Sequence, residues 1–194
     1  MRVKSTLLTP LLLVVSLFVS SSLQWKNHAA YATAVQGKDV VNNFNKRVKA
    51  YIEQRNAVKK KIPALSKEAT PEQITAYKTA FVAAMRTTRA NAKPGDLFDP
   101  AIATHIRTLI NEGFKGSEKA ELKKTVLEAD TKGVPLRINY PYPDEKEFTQ
   151  IPPPLLLKLP QLPKELKYRF VNRYLMLVDS DNDLIVDYMP RALS

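Results

Sequence analysis

Tyr168-Arg169-Phe170-Val171, Tyr174-Leu175-Met176-Leu177-Val178 and Leu184-Ile185-Val186-Asp187-Tyr188 are three runs of aromatic and branched residues. They are separated by Asn172-Arg173 and by Ser180-Asp181-Asn182. Such side chains fit a pleated, half-buried backbone, and short polar spacers reverse its direction. The pattern predicts a β-meander over 167–189 made of three antiparallel strands. Side chains alternate along a strand, so Leu175 and Leu177 face one way and Tyr174, Met176 and Val178 the other. Both sets are apolar. One face is therefore expected to meet helices and the other to meet something else, which makes Tyr174, Met176 and Val178 candidates for an interaction surface.

Upstream lies a proline-rich connector, 139–164. Asn139-Tyr140-Pro141-Tyr142-Pro143 must be extended, and Tyr140 and Tyr142 join the interaction candidates because tyrosines beside prolines can form a platform for a sugar or peptide. Pro152-Pro153-Pro154 leads into Leu155, Leu156, Leu157 and Leu159, with Pro160 and Pro163 behind. Leucines set so closely among prolines are expected to clamp the connector onto the surface of the domain. Before it, Val134, Leu136 and Ile138 alternate with Pro135, Arg137 and Asn139, as in a short edge strand where proline is tolerated.

From 37 to 131 the apolar residues recur at helical spacing instead. Val41, Phe44, Val48, Tyr51, Ile52, Arg55 and Val58 form one stripe opposite Lys46, Lys49, Glu53 and Lys59, and Pro63 closes that helix. Thr70, Pro71 and Gln73 spell a capping box with proline at the first helical position, ahead of a stripe of Ile74, Tyr77, Phe81, Ala84, Met85 and Thr88. Asp99-Pro100 repeats the signal for a helix with Ile102, Ile106, Leu109 and Ile110 inward, ended by Gly113. Ser117 caps a fourth, with Leu122, Val126 and Ala129 inward and Gly133 as its stop. The fold class expected is α+β: a bundle of about four helices packed against a small C-terminal antiparallel sheet, in one domain spanning 35–194.

Residues 1–34 read as a signal peptide. Arg2 and Lys4 precede the apolar runs Leu11–Val15 and Leu17–Val19, and a polar stretch ends in Ala32-Thr33-Ala34. Cleavage after Ala34 places the mature start at Val35; His28-Ala29-Ala30 offers an earlier site after Ala30. An uncleaved anchor over Leu7–Leu23 is the rival reading, opposed by Pro10 and the small-residue exit. With the leader gone, no transmembrane segment is expected. The location implied is periplasmic or secreted.

Composition narrows the chemistry. The chain has no cysteine, which excludes disulfides, a lipidated N-terminal thiol, thiolate nucleophiles and the usual structural zinc sites. About 160 residues suffice for one core stabilised by burial alone. Of two histidines, His28 falls in the leader, leaving His105. Five glycines, none at the required spacing, exclude a phosphate-binding glycine loop. The net charge of +11 falls to +8 when Arg2, Lys4 and Lys26 leave with the leader. Lysines are scattered, with one run at Lys59-Lys60-Lys61, and aromatics do not interleave with them, so no nucleic-acid partner is expected. A basic exported protein is still drawn to anionic envelope polymers.

Leu162-Pro163, Tyr168-Arg169-Phe170-Val171, Leu177-Val178-Asp179 and Leu184-Ile185-Val186-Asp187 together resemble the C-terminal signature of a family of small exported bacterial proteins. Gly95-Asp96-Leu97-Phe98 and Asn139-Tyr140-Pro141 resemble that family's other recurring segments. A similar hairpin closes RcnB-like periplasmic proteins. The resemblance implies location and shape rather than an activity.

Two clusters could carry chemistry. Asp179, Asp181 and Asp183 imitate the opening of a calcium loop, but Leu184 stands where glycine is required and Pro190 where a bidentate glutamate belongs, so a polar hairpin turn is the preferred explanation. Asp96, Asp99 and His105, with Glu112 nearby, are the members available to a hydrolase or transferase site. Asp99 already serves as a cap and Asp96 as a turn residue. No cofactor is expected. The leading expectation is a non-catalytic binding or interaction module of the bacterial envelope, with an envelope protein or anionic envelope polymer as partner.

Overall fold

The computed structural model describes residues 21–113, 116–128, 135–143, 146 and 149–193, with 21–36 and 117–119 given by backbone alone. Internal contacts divide the chain into Met1–Gln36 and Gly37–Ser194, and every side chain with a described environment belongs to the second unit. In chain order the elements are α1 (Ser21–Lys59), α2 (Pro71–Thr88), α3 (Pro100–Gly113), α4 (Ser117–Glu128), β1 (Thr149–Gln150), α5 (Pro153–Leu156), β2 (Leu166–Val171), β3 (Tyr174–Asp179) and β4 (Ile185–Met189). Helices fill the N-terminal part and one antiparallel sheet, ordered β1-β2-β3-β4, fills the C-terminal part. The class is α+β.

Local chemistry accounts for the boundaries. At α2 the Thr70 hydroxyl accepts from Gln73 N at 3.4 Å while Thr70 N donates to Gln73 Oε1 at 2.9 Å, so two otherwise orphaned donors are satisfied. Asp99 caps α3 by accepting from Ala101 N and Ile102 N. The two-residue turn between β2 and β3 sets Asn172 at φ 53°, a left-handed conformation that asparagine tolerates. Tyr168 pairs with Leu177 and Phe170 with Leu175, while a register shift at Leu177/Val178 marks a bulge against β4.

One face of the sheet meets the helices. Tyr168, Phe170, Leu175 and Leu177 share a buried cluster with Phe44 and Tyr51 of α1, Phe81 of α2 and Ile106 of α3. Phe44, Phe98 and Tyr168 form a chain of stacked rings with centroids 5.9 and 6.5 Å apart. Each large apolar side chain buried this way contributes about 1.5–3 kcal/mol. Leu155 and Leu159 of the connector enter the same cluster, whereas Leu156 and Leu157 stay exposed.

The opposite face is covered by the chain itself. Tyr142, Val171, Met176, Val178 and Ile185 form a second cluster, flanked by Leu136, Ile138 and Tyr188. Asn139 N donates to Ile185 O at 2.8 Å, Ile185 N to Tyr140 O at 2.9 Å and Tyr142 N to Asp183 O at 2.9 Å, so segment 136–142 is laced to the start of β4. This corrects the expectation that the outer face awaits a partner: Met176 and Val178 are fully buried and Tyr142 is 2% exposed. Residues 135–138 form no strand; Asn139, at φ 63°, turns the chain, and Pro141 forms an isolated bridge with Leu184, the residue just before β4. The first turns of α2 also depart from expectation. Phe81 and Met85 are buried but Ile74 is exposed, because α2 meets the core only through its C-terminal half. Ala129, Val134 and Gly133 lie outside the described residues, as does the apolar run of residues 11–19. Among the described residues no helix is long and apolar enough to cross a membrane.

Candidate functional site

Four charged side chains are buried among the described residues: Asp179, Arg55, Asp187 and Arg89. Asp179, the last residue of β3, is fully buried. Arg55 of α1 donates from Nε to Asp179 Oδ2 at 2.5 Å and from Nη2 to Oδ1 at 3.3 Å, and the Tyr51 hydroxyl donates to Oδ2 at 3.1 Å. Asp181 N and the Asn182 amide donate to Oδ1 at 3.1 and 3.3 Å. A buried carboxylate is tolerable only with such complete pairing. Arg55 also bonds Asp181, which Lys59 approaches at 3.3 Å. Burial pulls the Arg55 guanidinium toward neutrality, but the hydrogen bond and charge of Asp179, then those of Asp181, outweigh it and hold its pKa above the usual value. Burial raises Asp181, and the hydrogen bond and charge of Arg55 followed by Lys59 carry its pKa below the usual carboxylate value. Burial, and after it the charge of Asp179, drives the Tyr51 hydroxyl well above its ordinary pKa.

Asp187, in β4, is equally buried but meets no cation in hydrogen-bond contact among the described residues. Gly95 N and Tyr188 N donate to Oδ1, both at 2.8 Å, and Leu97 N and Phe98 N donate to Oδ2, both at 2.7 Å. The Gly95-Asp96-Leu97-Phe98 segment thus wraps a carboxylate with its own amides. Gly95 permits this at φ 91°, where an L side chain is strained. Burial pushes the Asp187 carboxyl above its ordinary pKa while the four N–H groups pull the other way.

The residues expected to carry chemistry are engaged separately. Asp96 Oδ2 accepts from Lys93 N at 2.8 Å, closing its own turn. Asp99 caps α3 and pairs with Arg47 of α1 at 2.8 Å. His105 is half-buried on α3, with Gly37 of α1 alongside. No hydrogen bond joins these three side chains among the described residues. The turn carboxylates are likewise engaged: Asp179 and Asp181 with Arg55, and Asp183 with Lys167 at 2.9 Å. No group of three acidic or imidazole side chains able to hold a metal ion occurs among the described residues.

The remaining buried charge is Arg89, the C-cap of α2, which is 8% exposed. Its Nη1 donates to Asn139 Oδ1 at 2.7 Å and to Val186 O at 3.2 Å, its Nη2 donates to Val186 O at 3.3 Å, and its guanidinium lies 4.9 Å from the Tyr51 ring centre. Asn139 Nδ2 returns a bond to Arg89 O at 3.0 Å. Above Arg89 opens a cleft of about 520 Å³ between the end of α2 and segment 138–140, lined among others by Arg86, Thr87, Ile138 and Tyr140. Arg86 lies 4.1 Å from the Tyr140 ring centre and donates to its hydroxyl at 2.6 Å; Arg137 lies 5.7 Å from the same ring. Of the expected interaction residues, Tyr140 lines this cleft, and Tyr174 packs edge-on against Tyr188 with centroids 5.7 Å apart.

Sequence reasoning missed Arg55, Arg89 and Asp187 as structural centres. The signal for the first was present: an arginine inside an otherwise apolar helical stripe, and an aspartate closing an apolar strand. No family model, curated protein or solved structure matches the chain, so the functional reading rests on the geometry.

Proposed function

We propose that the chain is an exported bacterial envelope protein, periplasmic or secreted, of the small-protein family its C-terminal hairpin resembles, and that it works by binding rather than by catalysis. One observation carries this reading. The aspartates of the hairpin signature, Asp179 and Asp187, have their oxygens occupied by Arg55, Tyr51 and backbone amides, and so hold the fold instead of facing a substrate. Catalytic carboxylates need access to a reacting group and a divided proton affinity within one cleft. The export half is supported by the sequence, where Arg2 and Lys4 precede the apolar runs 11–15 and 17–19 and small residues close the stretch at Ala32-Thr33-Ala34. Surface open to a partner includes the basic cleft beside Tyr140 and the exposed Leu156 and Leu157 of the connector.

Fractionation of producing cells with N-terminal sequencing, followed by crosslinking in intact cells, tests the reading. The expected product starts at Val35 or Tyr31 outside the cytosol, and its crosslinks survive Asp96→Asn and His105→Ala. Recovery from the cytosol with Met1 in place, or crosslinks lost in both variants while the fold persists, would refute it.

A further inference from the structure

Arg89 is a buried cation whose direct hydrogen-bond partners are an amide oxygen and a backbone carbonyl. Asp187 and Asp96 act on it through space, but their oxygens are hydrogen-bonded to backbone amides. A buried guanidinium without a carboxylate in contact is costly, and a cleft opens directly beside it. Among the described residues, no acidic side chain lines that cleft. Two further guanidiniums, Arg86 and Arg137, gather on the single ring of Tyr140 at its mouth, where their like charges oppose each other.

Arginine presents a planar fork of donors that matches oxyanions two bonds at a time. Arg86 and Arg137 are exposed, and Arg86 commits one of its five N–H donors to the Tyr140 hydroxyl and keeps others for a ligand, whereas Arg89 is fixed and supplies a positive field at the base. Thr87 and Tyr140 line the same space, the Thr87 hydroxyl donating to Ala83 O and the Tyr140 hydroxyl accepting from Arg86. A water occupies about 30 Å³ in the liquid, so the volume is on the order of fifteen to twenty waters, more than one small anion fills. Asp187 and Asp96 offset Arg89 only through space, and Arg86 and Arg137 add two more cations, so a doubly charged group balances the mouth better than a single carboxylate.

From this geometry we propose that the cleft between α2 and segment 138–140 binds a phosphate-bearing anion carrying more than one phosphate group, either free oligophosphate or the phosphates of an envelope polymer. The proposal rests on the reading of the chain as a binding module and names its ligand class. Arg86 and Arg137 grip the oxygens, Arg89 holds the field, and Tyr140 keeps both outer arginines poised at the mouth before the ligand arrives.

Calorimetry on the processed protein recovered from producing cells, with pyrophosphate as probe at fixed ionic strength, tests it. Pyrophosphate is expected to bind at least tenfold more tightly than sulfate or citrate. Arg86→Gln should weaken it about tenfold, and Arg86→Gln with Arg137→Gln should abolish it without moving the melting temperature, while Lys60→Gln with Lys61→Gln leaves it unchanged. Tighter binding of poly(glycerol phosphate) than of pyrophosphate assigns the ligand to a polymer, and the reverse order to free oligophosphate. Equal binding of citrate, full affinity in the double arginine variant, or equal loss in the lysine variant would overturn the site. Any of these would leave the fractionation test of export untouched.

Discussion

Asp179 and Asp187 sit on neighbouring strands, both fully buried, yet the molecule neutralises them by opposite means. Asp179 receives a full positive charge from Arg55, reached across more than a hundred residues of chain, with Tyr51 in support. Asp187 receives only partial charges, four amide hydrogens of which three come from one loop. The first arrangement ties α1 to the end of the meander. The second ties the loop before α3 to β4. A carboxylate held by a side chain is vulnerable to one substitution, whereas one held by backbone can be disturbed only by changing the carboxylate itself or the loop's path.

The largest expected effect breaks the first of these. Arg55→Met strands Asp179 in an apolar setting and should cost roughly 3–5 kcal/mol in chemical denaturation, most of it recovered when Asp179→Leu is added, because removing both charges relieves the desolvation. No recovery in the double variant would show that the pair does more than compensate itself. Asp187→Asn is next. The new amide can accept through one oxygen only and turns donors toward donors, so a loss of about 2–3 kcal/mol is expected, with amide exchange at Leu97 and Phe98 rising before that of the sheet. The smallest effect distinguishes the half-exposed member of the network. The pKa of Asp181 is depressed, so its contribution is present above the unfolded carboxylate value near ~3.9 and is lost as pH falls through the lower folded value. Half-exposure limits that contribution to under about 1 kcal/mol. Asp181→Asn should therefore lower stability near pH 7 by under about 1 kcal/mol and leave it almost unchanged in acid below the folded pKa, so that the acid limb of the stability profile flattens.

The difference also explains what could be read in the sequence. The meander was legible because its strands are short, consecutive and joined by tight turns, and the starts of α2 and α3 because Thr70, Gln73 and Asp99 act within four residues. β1 was not legible: Thr149 and Gln150 pair with Phe170 and Arg169 across about twenty residues, with no apolar pattern of their own. Segment 136–142 has the apolar residues to cover a sheet, but only its bonds to β4 show which face it covers. Arg55 stood in the apolar stripe of α1, yet its partner lay 124 residues away. The cleft was invisible for the same reason, since Arg86, Arg137 and Tyr140 meet only through the tertiary fold.

The lacing of Asn139, Tyr140 and Tyr142 onto β4 has a consequence for life in a crowded compartment. At the start of the β4 rim both peptide groups of Ile185 are already bonded to Asn139 and Tyr140, which removes that stretch as a template for an incoming extended chain, and at the far rim β1 is two residues long. Concentrated samples should stay clear of fibril-seeding contacts for as long as that inner sleeve stays seated.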